Sequence, residues 1–149
     1  MAVEEFEAGY EQKVIVNWTI PQGSLTQVAV RPYDLTDPAD KDSLRIYTDW
    51  TSGWTARAQI RKKPAKSNTE EPWVTFVDGA TSGPRISMTS DGWIYAILPG
   101  TATEGEPWNG YSGGFWDLEV IPDASPDDAV RMIAGTVKVS HDVTREVTA

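Results

Sequence analysis

The sequence has no cysteine, a single histidine and no long hydrophobic run. Without cysteine, the 149-residue chain has no disulfide framework, no thiolate metal site and no cysteine nucleophile, so we expect burial alone to hold its core. Its apolar runs, such as residues 93–98, are only a few residues long, whereas a membrane span needs roughly 20 apolar residues. A soluble protein without a membrane partner is therefore expected.

Basic residues are also scarce, with 13 Lys and Arg against 22 Asp and Glu and a formal net charge of −9. Nucleic-acid-binding surfaces depend on clustered Lys and Arg, so a nucleic acid partner is not expected. The first eleven residues carry four glutamates, where a secretory signal would need a basic start and an apolar run. We therefore expect the protein to be made and kept in the cytoplasm unless a larger particle carries it out.

Short strands are the dominant pattern. The 12 glycines and 10 prolines are spread along the chain, and the segments between them are rich in residues that suit a pleated sheet. Apolar and polar residues alternate clearly over residues 54–61, 114–120 and 131–139, and a first strand is predicted near residues 14–18. Gly135 interrupts one of these strands, which indicates a bulge or a close approach of another backbone segment.

Seven to nine such strands predict an all-β fold, an immunoglobulin-like antiparallel β-sandwich with long loops and extended termini. An up-and-down barrel is the structural alternative. The sandwich is expected to span residues 12–140, with an N-terminal extension over residues 1–11 and a C-terminal extension over residues 141–149. Trp18, Trp54, Trp93 and Trp116 fall at inward or two-sided strand positions and are predicted to lie in the core.

No catalytic or metal-binding constellation stands out. His141 lies beside Asp142 in a polar tail, and without a G-x-S-x-G motif it is interpreted as a solvated surface histidine. Asp117 and Glu119 are spaced like a glycosidase pair, but they are also the polar partners of an amphipathic strand. Four aspartates in the loop over residues 32–43 lack the spacing of a calcium loop. These aspartates are Asp34, Asp37, Asp40 and Asp42. We therefore expect the protein to have no enzymatic activity, no bound metal and no cofactor.

Two groups of residues are candidates for interaction. The first is a stretch without acidic residues between Trp50 and Thr69, which could pair with an acidic surface or could simply be solvated. Its members are Arg57, Arg61, Lys62, Lys63 and Lys66. The second is Trp108 and Tyr111 in the glycine-rich loop over residues 101–114, which either stay exposed to stack on sugar rings or anchor a partner, or fold back and become buried.

Several phrases occur in a fixed order along nearly the whole chain. After Gly9 and Tyr10 they read VIVNW (14–18), RPYDLT (31–36), GWTARAQIR (53–61), GGFWDLEV (113–120), AGTVKVS (134–140) and DVT (142–144). This order resembles the LtfC-type β-sandwich domain of tailed bacteriophages, especially those infecting actinobacteria, and more widely the N-terminal sandwich of baseplate upper proteins. Here residues 37–52 are inserted between the second and third phrases, and Phe115-Trp116 replaces a usual tyrosine pattern.

The resemblance implies a virion component without catalysis, most closely a minor tail or baseplate-associated protein. It would be assembled in the host cytoplasm in multiple copies by contact with other virion proteins. Residues 2–11 and 141–149 are expected to act as arms that reach neighbouring subunits. The alternatives are a capsid decoration or head protein and a carbohydrate-binding module for a host-surface glycan, the latter favoured by Trp108 and Tyr111.

Overall fold

The computed structural model describes residues 2–9, 14–63 and 71–141, and these residues form eleven strands without an α-helix. The strands are β1 (Ala2–Gly9), β2 (Val14–Ile15), β3 (Trp18–Pro21), β4 (Thr26–Leu35), β5 (Arg45–Tyr47), β6 (Trp54–Arg61), β7 (Val74–Asp78), β8 (Arg85–Met88), β9 (Ile94–Leu98), β10 (Gly113–Pro122) and β11 (Val130–Ser140). Short 3₁₀ turns occupy Gly100–Thr103, Trp108–Gly110 and Pro126–Asp128. The all-β prediction is confirmed.

The strands belong to one mixed sheet that curls nearly into a barrel, in the order β1-β4-β9-β8-β7-β6-β10-β11-β2. β5 pairs with β4 and β3 pairs with β11 beside this path. Four pairings are parallel, namely β1 with β4, β7 with β8, and β11 with both β2 and β3. The expectation of a purely antiparallel arrangement is wrong for these pairs, because none of them is joined by a hairpin turn, the connection that sets two strands antiparallel.

The N-terminal segment differs from the expected extension. Residues 2–9 form β1, which pairs with β4 in an unbroken parallel register from Ala2 opposite Thr26 to Gly9 opposite Tyr33. The Glu7 carboxylate accepts hydrogen bonds from Arg45 and from the Tyr47 hydroxyl. These contacts make β1 an edge strand of the sheet rather than an arm. The C-terminal arm predicted over residues 141–149 lies outside the described residues except for His141.

Tryptophans form the centre of the core. The rings of Trp18 and Trp116 meet edge to face with centroids 4.7 Å apart. Each indole N–H has a buried partner: Trp18 donates to the Thr26 hydroxyl at 3.0 Å, and Trp116 donates to the Val16 carbonyl at 3.0 Å. Burial of both was predicted and is confirmed, and their hydrogen bonds remove the cost of burying an unpaired N–H.

Two other tryptophans depart from the prediction. Trp54 and Trp93 are only half-buried, whereas Trp50, at the end of the inserted segment, is fully buried. Trp50 donates its indole N–H to the Gly92 carbonyl at 2.9 Å and packs edge to face on Trp54. The insertion therefore supplies a core residue that strand periodicity alone does not reveal.

Gly135 is a point of close backbone approach, as its place in the strand predicts. A Cβ added to it would lie 1.9 Å from the Val16 carbonyl oxygen. The same stretch of backbone is tied to β11 by a hydrogen bond from the Val16 N–H to the Ala134 carbonyl, 3.0 Å long. Because Gly135 has no side chain, the segment that joins β2 to β3 can lie directly against β11.

Candidate interaction groove

A groove of about 560 Å³ lies on the outer face of the sheet formed by β6, β10 and β11. Strand alternation creates this face, because the inward residues of β10 are buried while Phe115, Asp117 and Glu119 point outward. The groove is lined by Ile15, Asn17, Gln59, Arg61, Lys63, Phe115, Trp116, Asp117, Arg131, Ala134, Gly135 and Thr136.

Two large apolar side chains lie in this groove in contact with water. Ile15 is 66% exposed and Phe115 is 42% exposed, although both belong to strands. They are far apart in the sequence and are brought onto one face by the parallel pairing of β2 with β11 and the antiparallel pairing of β11 with β10. Exposed apolar residues framed by polar ones are typical of protein interaction sites.

The rim of the groove is charged. The Arg131 Nε lies 3.4 Å from an Asp117 carboxylate oxygen, and Arg57 forms an ion pair with Glu119. The Arg61 Nε donates to the Gln59 side-chain oxygen at 3.0 Å. On the neighbouring edge, the Asn17 side-chain oxygen accepts hydrogen bonds from the N–H and hydroxyl of Thr136. These contacts hold the polar rim in a defined arrangement.

Asp117 and Asp49 have shifted pKa values of opposite direction. Partial burial raises the pKa of the Asp117 carboxyl above its ordinary value, although the nearby Arg131 lowers it. The pKa of Asp49 is lowered because the hydroxyl and the N–H of Thr51 donate to its carboxylate. The raised pKa means that the folded chain holds the Asp117 proton more tightly than the unfolded chain. The contribution of Asp117 to the free energy of unfolding therefore falls as the pH rises from the ordinary carboxyl pKa through the raised pKa.

This geometry predicts the effect of removing the arginine. In Arg131→Ala, the pKa of Asp117 should rise further, because the charge that favours the carboxylate is gone while the burial remains. Carboxyl-carbon NMR titration measures both groups in one experiment, and the pKa of Asp49 should not move in this variant. An Asp117 pKa that stays constant or falls would contradict the described ion pair.

The basic stretch predicted from the sequence is partly assembled here. Arg61 and Lys63 line the groove, Lys62 is exposed next to them, and Arg57 pairs with Glu119 on the same face. Lys66 lies outside the described residues. The sequence analysis did not single out Ile15, Phe115 or Arg131 as site residues. For Ile15 and Phe115, the available signal was an apolar residue at an outward strand position.

Of the two predictions for Trp108 and Tyr111, exposure or burial, the structure agrees with burial. The loop folds back, so that Trp108 is buried at 3% exposure and Tyr111 is half-buried. Tyr111 stacks on Trp73 with centroids 4.1 Å apart, and Trp108 meets the edge of the same ring at 5.9 Å. Trp108 therefore serves the core and is not an exposed stacking surface.

The single histidine helps to fasten this loop. The His141 Nδ1 lies 2.7 Å from the Gln22 side-chain oxygen, and its Nε2 lies 2.9 Å from the Tyr111 carbonyl oxygen. Gln22 in turn donates to the Asn109 side-chain oxygen at 2.7 Å. His141 is exposed, as predicted, but it is bound at both ring nitrogens and is not simply solvated.

The acidic loop is exposed and locally ordered. The carboxylates of Asp37 and Asp40 accept hydrogen bonds from backbone N–H groups two residues further on, at 3.1 and 3.0 Å. Across the described part of the chain, no group of three or more His, Asp or Glu side chains is placed to hold a metal ion. No helix within residues 2–9, 14–63 and 71–141 is long and apolar enough to cross a membrane.

No protein-family model matches the chain, and no curated protein matches it. Among solved structures, the chain is similar to PbICP-C, whose structure was solved in complex with falcipain-2. The TM-score is 0.38 and the sequence identity 11%, over 93% of this chain and 99% of the other.

Proposed function

We propose that the protein is a non-enzymatic structural component of a bacteriophage virion, a minor tail or baseplate-associated protein that acts through protein–protein contact. The observation that carries the assembly role is the groove over β6, β10 and β11, where exposed Ile15 and Phe115 are framed by basic side chains on a strongly acidic chain. An apolar centre with a polar rim is the usual form of a protein interface.

The phage setting is supported by the resemblance of the strand phrases. Four of them, residues 14–18, 53–61, 113–120 and 134–140, supply β2, β6 and most of β10 and β11, together with the first residue of β3. They therefore contribute the groove-forming half of the sheet as well as core residues. A shared skeleton with a variable insertion would let related virion proteins keep one sheet and change their partners.

Within the all-β class, we propose that the fold is an immunoglobulin-like sandwich. In such a fold, strands A, B, E and D form one sheet and strands C, F and G form the other. The order β1-β4-β9-β8 corresponds to the first sheet and the order β6-β10-β11 to the second. β7 would then join the two halves, since its first residues pair with β6 and its last with β8. The parallel direction of β1 is a departure from that pattern.

The contacts of the acidic pair support a role without catalysis. Asp117 and Glu119 are engaged by Arg131 and Arg57, respectively, on the open face of a sheet. The carbohydrate-binding alternative loses support because Trp108 is buried and Tyr111 is covered on one face by Trp73. The capsid or head alternative uses the same groove and differs only in where the protein is found.

Mass spectrometry of phage particles separated into heads and tails tests the proposal. We expect the protein in the tail fraction, in a constant ratio to other tail proteins across preparations. Recovery in the head fraction would favour the capsid alternative. Absence of the protein from washed particles, although the infected cells produce it in quantity, would contradict a virion role.

A further inference from the structure

Positive charge is concentrated on the groove face of this acidic protein. Among the described residues, six basic side chains project from β6, the residues that follow it, and β11, whereas β10 contributes two acidic ones. The basic residues are Arg57, Arg61, Lys62, Lys63, Arg131 and Lys138. Since the whole chain carries a charge of −9, the rest of its surface is strongly negative. The groove face is thus suited to an acidic partner with an apolar centre.

A surface of this kind exists elsewhere on the same chain. Residues 34–46 run from the end of β4 through the following loop into β5, and they carry four exposed aspartates against two basic residues, Lys41 and Arg45. The same segment exposes Leu44 at 79% and Ile46 at 51%. The loop is closed by a hydrogen bond from the Thr36 N–H to the Leu44 carbonyl at 2.8 Å. A loop that is already ordered loses little conformational freedom on binding.

The two surfaces lie on opposite halves of the fold. β4, from which the acidic loop extends, pairs with β1, β5 and β9, and it also contacts β11, since both strands contribute residues to the buried core. The groove is on the outer face of β11, away from that core. One copy therefore presents both surfaces outward, where they can meet the unlike surfaces of other copies.

We propose that the groove of one copy binds the acidic loop of a second copy, residues 34–46, with Leu44 and Ile46 against Ile15 and Phe115. This inference rests on the proposed assembly function and names the partner of the groove. The contact joins unlike surfaces, so repeated copies would form a ring or an open filament. Opposite charges bring the surfaces together, and the apolar side chains stabilise the contact.

Charge-swapped variants in sedimentation velocity test the contact. Lys62→Glu/Lys63→Glu cancels the net positive charge of the groove face, and Asp34→Lys/Asp42→Lys reverses the net charge of residues 34–46 while leaving the turn-forming Asp37 and Asp40 in place. The wild-type chain should self-associate at low salt and less so at 0.5 M salt, where screening is strong. Each variant alone should associate at least about tenfold more weakly. An equimolar mixture should recover association, because the unmodified groove of the loop variant then meets the unmodified loop of the groove variant.

The matched control is Asp127→Lys/Asp128→Lys, which makes the same change in net charge on the 3₁₀ turn before β11 and should associate like the wild type. A wild-type chain that stays monomeric, a loop variant that associates normally, or a mixture that recovers nothing would overturn the inference. If the chain is monomeric but is still found in tails, the virion role stands and the groove binds a different virion protein.

Discussion

The variant Gly135→Ala should unfold at a much lower urea concentration than the wild-type chain, with a loss of about 3 kcal/mol or more in the free energy of unfolding. An alanine Cβ would lie 1.9 Å from the Val16 carbonyl oxygen and 2.6 Å from its carbon, so backbone must move. The Val16 carbonyl also accepts the Trp116 indole N–H, and that buried hydrogen bond would be strained or broken. Tryptophan fluorescence during urea unfolding measures the change.

Gly113→Ala is the matched control, because it adds the same methyl group to the adjacent strand. The nearest atom to its added Cβ is the Val137 carbonyl oxygen at 3.8 Å, an ordinary contact. The control should remain within about 1 kcal/mol of the wild type. Equal unfolding midpoints for the two variants would show that β11 and the segment through Val16 are not as closely packed as described.

Gly135 also bears on how much of this fold the sequence predicts. A glycine within an otherwise apolar strand indicated a close approach, but not which segment approaches. Val16 lies more than a hundred residues away, and its pairing with β11 is parallel. Local patterns carry the period of a strand, whereas the partner of a strand depends on packing across the whole chain.

The strands with one buried face were the most predictable. β6 has the predicted bounds, Trp54–Arg61, and the inward residues of β10 are buried as expected. In both strands the two-residue period follows directly from one face lying on the core. β1 was missed because its glutamates suggested an exposed arm, while its stability depends on pairing with β4 and on the contacts of Glu7 with Arg45 and Tyr47.

The candidate site was only partly predictable for a related reason. The basic stretch is contiguous in sequence, so Arg61 and Lys63 were identified, but the apolar centre is assembled from separate strands. The burial of Trp108 was also not predictable, because a glycine-rich loop has no two-residue alternation that would indicate which side chains are buried. Its place against Trp73 depends on how residues 101–113 fold back.

The variant Phe115→Ser should be poorly incorporated into phage particles, because it removes the aromatic side chain from the apolar centre of the groove. Phe115 is 42% exposed, so the isolated variant should keep its fold. Truncation of a central interface aromatic weakens binding by about 2 kcal/mol or more, and we expect at least about a tenfold drop in the amount of protein per particle. Val77→Ser is the matched control: Val77 is 55% exposed on β7, outside the groove.

Quantitative mass spectrometry of particles from cells that make equal amounts of each variant provides the measurement. We expect Phe115→Ser to be depleted from particles and Val77→Ser to be incorporated like the wild type. Equal incorporation of all three proteins would contradict the claim that this groove is the assembly surface.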